Sequence, residues 1–365
     1  MTKIVLLGAG KVGKLICTLL TQNPDYEITV GDYNAETLKH LVGDLKGKNV
    51  TSSVVDVTKE NELLKLFKGK EMVLSACPYF CNKLIAKCAK ESNIHYLDLT
   101  EDVETTEYIQ ELAKNSSKIF CPQCGLAPGF ISIVTNQLIQ EFDEIETVKM
   151  RVGALPTFPS NCLKYNLTWS TEGLINEYGN PCDAIMSGKK MKVLPLEGLE
   201  QFVLDGNEYE AFNTSGGLGT LCDKLLGRVK ELNYKSIRYP GHRNLIYFLM
   251  NDLKLNEDRP TLKRIFENAI PTTVQDKVII FVVVSGKIRG SYVEKDYVNQ
   301  IYSQKIDGKD WSALQITTAS SACTVIDLIA NKKLKKKGFV NQEDITLELF
   351  LQNSFSQCYR QNQTV

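Results

Sequence analysis

Three glycines and one acid carry the most specific chemistry in the chain. Gly8-Ala9-Gly10-Lys11-Val12-Gly13 has the spacing of a turn that wraps a pyrophosphate. Gly8 suits the tight turn, Gly10 lets the phosphates approach the backbone, and Gly13 lets the next helix pack closely. Gly8, Gly10, Lys11, Val12 and Gly13 are therefore the phosphate-facing candidates, because free N–H groups at a helix N-terminus attract anions. Asp32 follows at about the twenty-residue separation expected of a ribose-binding acid. A carboxylate there accepts hydrogen bonds from the adenosine 2′-OH and repels a 2′-phosphate. Tyr33, Asn34 and Ala35 come next, with no cation to receive such a phosphate. The pattern predicts NAD rather than NADP. An ordinary turn with a helix-capping Asp is the bland alternative, and the agreement of strand, glycines and acid outweighs it.

These residues need a strand before them and a helix after them. Lys3 to Leu7 reads as a buried strand and Lys14 to Leu20 as a helix. The alternation continues through a strand at Ile28–Val30, a helix from Asn34 to Leu45, and a third strand at Thr51–Val55 ending on Asp56-Val57. That pair either meets the adenine ring or caps the next helix. A fourth strand, Met72–Ala76, ends at Ala76-Cys77-Pro78-Tyr79; a fifth runs from His95 to Thr100, and a sixth from Lys118 to Cys121. Such spacing predicts an α/β Rossmann domain with a parallel sheet covered on both faces. Its ligands lie beyond the strand C-terminal ends, which marks Ala76 to Tyr79, Asp98, Glu101 and the loop Gly125–Gly129.

Beyond about residue 135 the pattern becomes mixed α+β. Glu146–Val152 alternates as a strand does, and Ser187-Gly188, Asp205-Gly206 and Asp307-Gly308 read as hairpin turns. Apolar helical spacing returns from Leu314 to Ala330, and the basic run Lys332–Lys337 reads as a solvated helix end. The expected division is 1–134 with 315–365 as the dinucleotide-binding domain and 135–314 as a substrate and dimerisation domain. An exposed sheet face and strand edge of the latter are the expected contact in a homodimer or higher homo-oligomer.

The bulk composition excludes little else. Lys+Arg and Asp+Glu both number 43, so no basic excess points to nucleic acid or an anionic membrane. The apolar run Val278–Val284 is too short to span a bilayer. Eleven scattered cysteines suit reduced thiols and a cytoplasmic location. Cys121-Pro122-Gln123-Cys124 has metal or redox spacing, but no second pair accompanies it, so no metal site is expected.

Several stretches carry a family likeness. Trp169-Ser170-Thr171-Glu172-Gly173 through Tyr178, Asn213-Thr214-Ser215-Gly216-Gly217, and Ile237-Arg238-Tyr239-Pro240-Gly241-His242 resemble the saccharopine dehydrogenase-like reductases, particularly the L-lysine 6-dehydrogenase branch. The Pro78-Tyr79 edge, the Gly125–Gly129 loop and Gln315-Ile316-Thr317-Thr318 are similar to the same family. The saccharopine branch usually shows Trp-Ser-Pro-Arg-Gly where this chain has Glu172 and tends to an aromatic in place of His242. Without that arginine, a substrate smaller than the tricarboxylate saccharopine is favoured.

The resemblance implies oxidation of an amine carbon by nicotinamide and hydrolysis of the imine. For lysine, the product is 2-aminoadipate 6-semialdehyde. An ammonium must first lose a proton, so a base or desolvation is required. His242 is a candidate base kept neutral by a helix N-terminus, or a surface cap. Arg238 either clamps the substrate carboxylate or makes a structural ion pair. Tyr79 can donate to the amine or water, Trp169 can wall the site, and Thr214 sits in a matching motif. Asp98 and Glu101 either hold an ammonium or cap the next helix. The competing functions are a saccharopine- or carboxynorspermidine-type reductase and a non-catalytic NAD-binding protein.

Overall fold

A computed structural model describes residues 1–45, 47–334 and 336–360. They form two units, residues 1–129 with 317–360 and residues 130–316. Residues 361–365, which the sequence reading put in the first domain, and Lys335 of the basic run lie outside the described residues.

The first unit alternates as its apolar runs require. Its elements are β1 (Thr2–Leu7), α1 (Lys11–Leu20), β2 (Tyr26–Asp32), α2 (Ala35–Asp44), β3 (Val50–Val54), α3 (Glu60–Phe67), β4 (Met72–Ser75), α4 (Asn82–Glu91), β5 (His95–Asp98), α5 (Val103–Leu112) and β6 (Ile119–Cys121). The strands pair in parallel in the order β6-β5-β4-β1-β2-β3. The order reverses beside β1, and that crevice is where dinucleotides bind in such sheets.

The second unit begins at α6 (Phe130–Ile139), a few residues before the expected border at 134. This helix packs on strands of its own unit, which explains the shift. There follow β7 (Glu144–Pro156), α7 (Thr171–Gly179), β8 (Cys182–Met186), β9 (Lys189–Val193), β10 (Glu200–Leu204), β11 (Asn207–Asn213), α8 (Leu221–Leu225), β12 (Glu231–Arg238), α9 (His242–Tyr247), α10 (Arg259–Ala269), β13 (Asp276–Ile288), β14 (Ser291–Tyr302), β15 (Gln304–Ile306) and β16 (Lys309–Trp311). The mixed sheet runs β10-β11-β12-β7-β13-β14, with the β8–β9 hairpin joined to β12.

One face of this sheet is covered by helices whose core includes Leu174, Tyr178, Ile246, Leu262 and Phe266. The other face corrects an expectation. Expected to lie exposed, it curls over itself and buries Leu155, Tyr209, Ala211, Ile237 and Ile279. Phe202 of β10 reaches Phe281 of β13 at 5.8 Å between ring centres, although three strands separate them in the sheet. Gln300 on β14 also bonds Asp205 in the β10–β11 turn.

Helix α11 (Ala313–Ala330) starts in the second unit and from Thr317 belongs to the first. Its 18 residues and mean hydropathy of 1.4 are long and apolar enough for a membrane span; here 83% of it is buried in the protein. Strand β17 (Gly338–Phe339) then adds beside β6, and α12 (Leu347–Leu351) follows. Tyr26 on β2 donates to Asp327 of α11, and Asn353 donates to the other oxygen of Asp327 at 2.7 Å.

Candidate functional site

The glycine turn has the shape its spacing implies. Gly8 sits at φ +97°, and a Cβ there would lie 2.8 Å from the Ala76 carbonyl oxygen. A Cβ at Gly13 would fall 2.0 Å from the Gly8 carbonyl oxygen, so α1 meets β1 only because neither residue has a side chain. At Gly10 the same construction meets nothing within 4 Å. That opening faces the N-terminus of α1, whose first turn carries no acid and whose Gly10 cap supplies no side-chain acceptor. Gly10 and Lys11 are exposed and Val12 half-buried. Open space at a helix N-terminus that has no side-chain cap fits a dinucleotide pyrophosphate.

Asp32 is half-buried at the end of β2. One carboxylate oxygen accepts from Ala9 N–H at 2.7 Å and the other from Asn34 N–H at 2.9 Å. These bonds fix the carboxylate against the glycine turn. Asn34, rather than Asp32, caps α2 by accepting from Thr37 N–H. Tyr33 beside it is exposed.

Asp56 accepts from the Thr58 N–H at 3.0 Å and hydroxyl at 2.7 Å, which hold its carboxyl below the ordinary range despite some desolvation. These bonds stay within the turn before α3, whose N-cap is Lys59, so Asp56 does not cap that helix. Val57 packs partly on the core of the first unit. Ala76 N–H donates to the Leu7 carbonyl and Cys77 N–H to the Ser75 hydroxyl, so the β4 edge is tied to β1. Burial pushes the Cys77 thiol up to about 12, which makes it a neutral wall. Pro78 is exposed, and Tyr79 lies half-buried in a 3-10 turn, edge-on to the Phe80 ring.

Asp98 departs from its expected role. It is fully buried, and Tyr96 donates to one oxygen at 2.6 Å. The other oxygen accepts from the N–H groups of Thr100 and Gln123 at 2.9 and 3.0 Å. Burial raises its carboxyl to about 6. The side chain therefore ties β5 to the loop after β6 and has no face for substrate. Asp102, neither Asp98 nor Glu101, caps α5. Glu101 is half-buried, and burial, helped by the Asp102 and Asp98 charges, raises its carboxyl to about 7.

In the second unit, Arg238 and His242 are brought together through a residue the sequence reading passed over. Arg238 Nε–H donates to the Tyr178 hydroxyl oxygen at 2.8 Å, and that hydroxyl lies 3.1 Å from His242 Nε2. His242 Nδ1 lies 2.8 Å from the Leu163 carbonyl oxygen. A carbonyl only accepts, so Nδ1 carries the proton, Nε2 accepts from Tyr178, and every proton in the chain is placed. Burial first, and the Arg238 charge second, lower the imidazole to about 3. His242 is 1% exposed with both ring nitrogens used, so its reading as a base titrating near neutrality is corrected. Tyr178 ends the motif that begins at Trp169, but its helical spacing reads equally well as core.

Arg238 is also buried and stays protonated. Burial lowers its pKa, but Tyr178, Tyr165 and Glu177 outweigh that and raise it. Its guanidinium carbon lies 5.0 Å from the Tyr165 ring centre, and one Nη1–H donates to its own strand at the Ile237 carbonyl. Its remaining N–H groups find no acceptor among the described residues. Half-buried Trp169 packs its ring against Gly173, where a Cβ would come within 2.4 Å of it. Thr214 is buried and hydrogen-bonded to the Ser236 hydroxyl, which gives it a packing role. Glu172 pairs with Lys263.

The Cys121/Cys124 pair closes on Gln342, whose amide nitrogen lies 3.3 Å from both sulfurs and donates to the Pro122 carbonyl at 2.8 Å. Among the described residues, no group of three or more His, Cys, Asp or Glu side chains could hold a metal ion.

Comparison with known proteins yields consistent matches. The saccharopine dehydrogenase NADP binding domain model matches residues 4–119, and the saccharopine dehydrogenase C-terminal domain model matches residues 125–353. Alpha-aminoadipic semialdehyde synthase of Rattus norvegicus is 22% identical over 200 residues, covering 52% of this chain and 21% of that protein. The Bos taurus protein is 25% identical over 195 residues, 51% of this chain and 21% of its own length. The match thus spans about a fifth of these relatives. Apo saccharopine dehydrogenase (L-Glu forming) from Saccharomyces cerevisiae superposes with a TM-score of 0.78 at 16% identity, covering 96% of this chain and 95% of the other. An engineered D-amino acid dehydrogenase bound to NADP+ gives 0.50 at 11% identity over 99% of both chains. At these identities the structural likeness shows the fold.

Proposed function

Because the chain belongs to the saccharopine dehydrogenase family, we propose that it is an NAD-dependent oxidoreductase acting on a C–N bond of an amino acid, with L-lysine oxidised at its 6-position. The observation that carries the amino-acid part is Arg238. A buried guanidinium with N–H groups left over and no carboxylate within ion-pair distance is matched to a planar carboxylate. Glu172, an acid paired with Lys263 at the position where the resemblance to the saccharopine branch implies an arginine, supports a substrate with fewer carboxylates than saccharopine.

For the cofactor, Gly8, Gly10, Lys11, Val12 and Gly13 supply the pyrophosphate cradle and Asp32 the ribose contact. Bound nicotinamide supplies the hydride acceptor. The family model is described as NADP binding, whereas Asp32, with no cation in the residues after it, supports NAD. In the second unit, Arg238 holds the α-carboxylate and Trp169 walls the aliphatic stem. Glu101 of the first unit, whose carboxyl burial raises to about 7, is the proposed proton acceptor of the reaction. The product aldehyde carries the α-amino group and can cyclise.

The testing experiment follows reduced nicotinamide absorbance with NAD and NADP against L-lysine, ornithine, diamines and saccharopine. Turnover with NAD and lysine supports the reading. Turnover confined to saccharopine replaces it with the reductase reading, and cofactor binding without turnover replaces it with a non-catalytic one.

A further inference from the structure

We propose that the curled sheet of the second unit holds a binding site for a small carboxylate, formed by Lys277 and Tyr209. Strand alternation puts Lys277 on the same face of β13 as Ile279 and Phe281, facing into the curl. The side chain is 8% exposed. Its Nζ donates to the Tyr209 hydroxyl at 2.6 Å and lies 5.2 Å from that ring's centre. No carboxylate among the described residues lies within ion-pair distance of it. The neighbouring acid, Asp276, points to the opposite face and is spent on the N–H groups of Ala313 and Leu314.

The bond from Lys277 uses the Tyr209 oxygen as acceptor and leaves the Tyr209 hydrogen without an acceptor. Two N–H bonds of Lys277 are also left over. Spare donors therefore converge in a buried place with nothing to receive them. An unsatisfied buried donor costs roughly 1–3 kcal/mol, and an unpaired charge costs more. One anion relieves both.

The surroundings select a planar anion. The Tyr209 and Tyr239 rings stack at 5.8 Å with 24° between planes. The Tyr239 hydroxyl donates to the Pro156 carbonyl at 3.0 Å, which makes Tyr239 a wall and not a ligand. Tyr302, 51% exposed, lies at the rim near Tyr239. Two donor atoms 2.6 Å apart suit the two oxygens of one carboxylate, whereas a tetrahedral phosphate asks for more donors than the wall supplies. Lys277 and Tyr209 take no part in the proposed amine oxidation, so the two readings stand or fall separately.

The experiment is a thermal unfolding titration of the full chain with sodium acetate and sodium succinate, against sodium chloride at matched ionic strength. The proposal expects a saturable rise in Tm with the carboxylates beyond the chloride control. Lys277→Met should abolish the rise, and Tyr209→Phe should raise the half-saturating concentration about tenfold, the loss of one hydrogen bond to a charged group. Should Lys277→Met fail to fold, Tyr209→Phe carries the test alone. A flat response in the wild type overturns the proposal. So does a response unchanged in Tyr209→Phe, or one that survives in Lys277→Met and disappears in Arg238→Met, which would place the anion at Arg238.

Discussion

Arg238, Tyr178 and His242 divide one task between them. In the proposed reaction the guanidinium meets the substrate; Tyr178 fixes its Nε edge, and the neutral imidazole fixes Tyr178. Arg238→Met should raise KM about a hundredfold, in keeping with the loss of a buried charge-assisted pair of roughly 3 kcal/mol, with a smaller fall in kcat. His242→Phe removes the acceptor for Tyr178, and should raise KM about tenfold with little change in kcat. Steady-state kinetics separate the two effects. The pH profile assigns the base. As the proposed base, Glu101 would work as a carboxylate, so kcat/KM should rise with pH through about 7. Glu101→Gln should remove that limb and His242→Phe should leave it. A limb that persists in Glu101→Gln and vanishes in His242→Phe would return the proton to the imidazole. At the cofactor, Asp32→Ser combined with Tyr33→Arg should move preference from NAD to NADP in side-by-side titrations.

The glycine turn separates fold from function at the level of the element. Gly10 has φ −73° and free space for a Cβ, so Gly10→Ala should leave Tm nearly unchanged while weakening dinucleotide binding at least tenfold. Gly13→Ala drives a methyl into the Gly8 carbonyl and should cost stability as well as binding. Fluorescence titration of the cofactor beside a melting curve distinguishes them. Such elements were legible in the sequence because their signals are local. Ser187-Gly188, Asp205-Gly206 and Asp307-Gly308 all take positive φ at both residues, as hairpin turns of this kind require. Arg289-Gly290, which joins β13 to β14, takes the same conformation, but its arginine gave no turn signal. The cap of α11 was illegible for a different reason. Asp276 accepts from the Ala313 and Leu314 N–H groups from another element, 37 and 38 residues earlier in sequence. Asp276→Ala should cost about 2 kcal/mol, read from the urea midpoint.

Across the whole molecule, the alternation of strands and helices made the first unit readable, whereas long-range chemistry did not show in one dimension. Asp98 looked available at the end of a strand, but burial and three hydrogen bonds enclose it. His242 looked like a titrating base until Tyr178 and the Leu163 carbonyl claimed both nitrogens. The curl of the second sheet depends on contacts between distant strands, such as Phe202 with Phe281, which no local pattern encodes. The Tyr26–Asp327–Asn353 staple fastens the returning tail to the first unit, and Asp327→Ala should destabilise that unit by about 3 kcal/mol, through two buried donors left unpaired. Urea unfolding measures this. The central claim is tested most directly by the stoichiometry of the full chain with NAD and L-lysine. Equal amounts of NADH and ammonia, both lost in Arg238→Met and retained in Tyr209→Phe, are the predicted result. NAD bound tightly with neither product formed from any amino acid would contradict it.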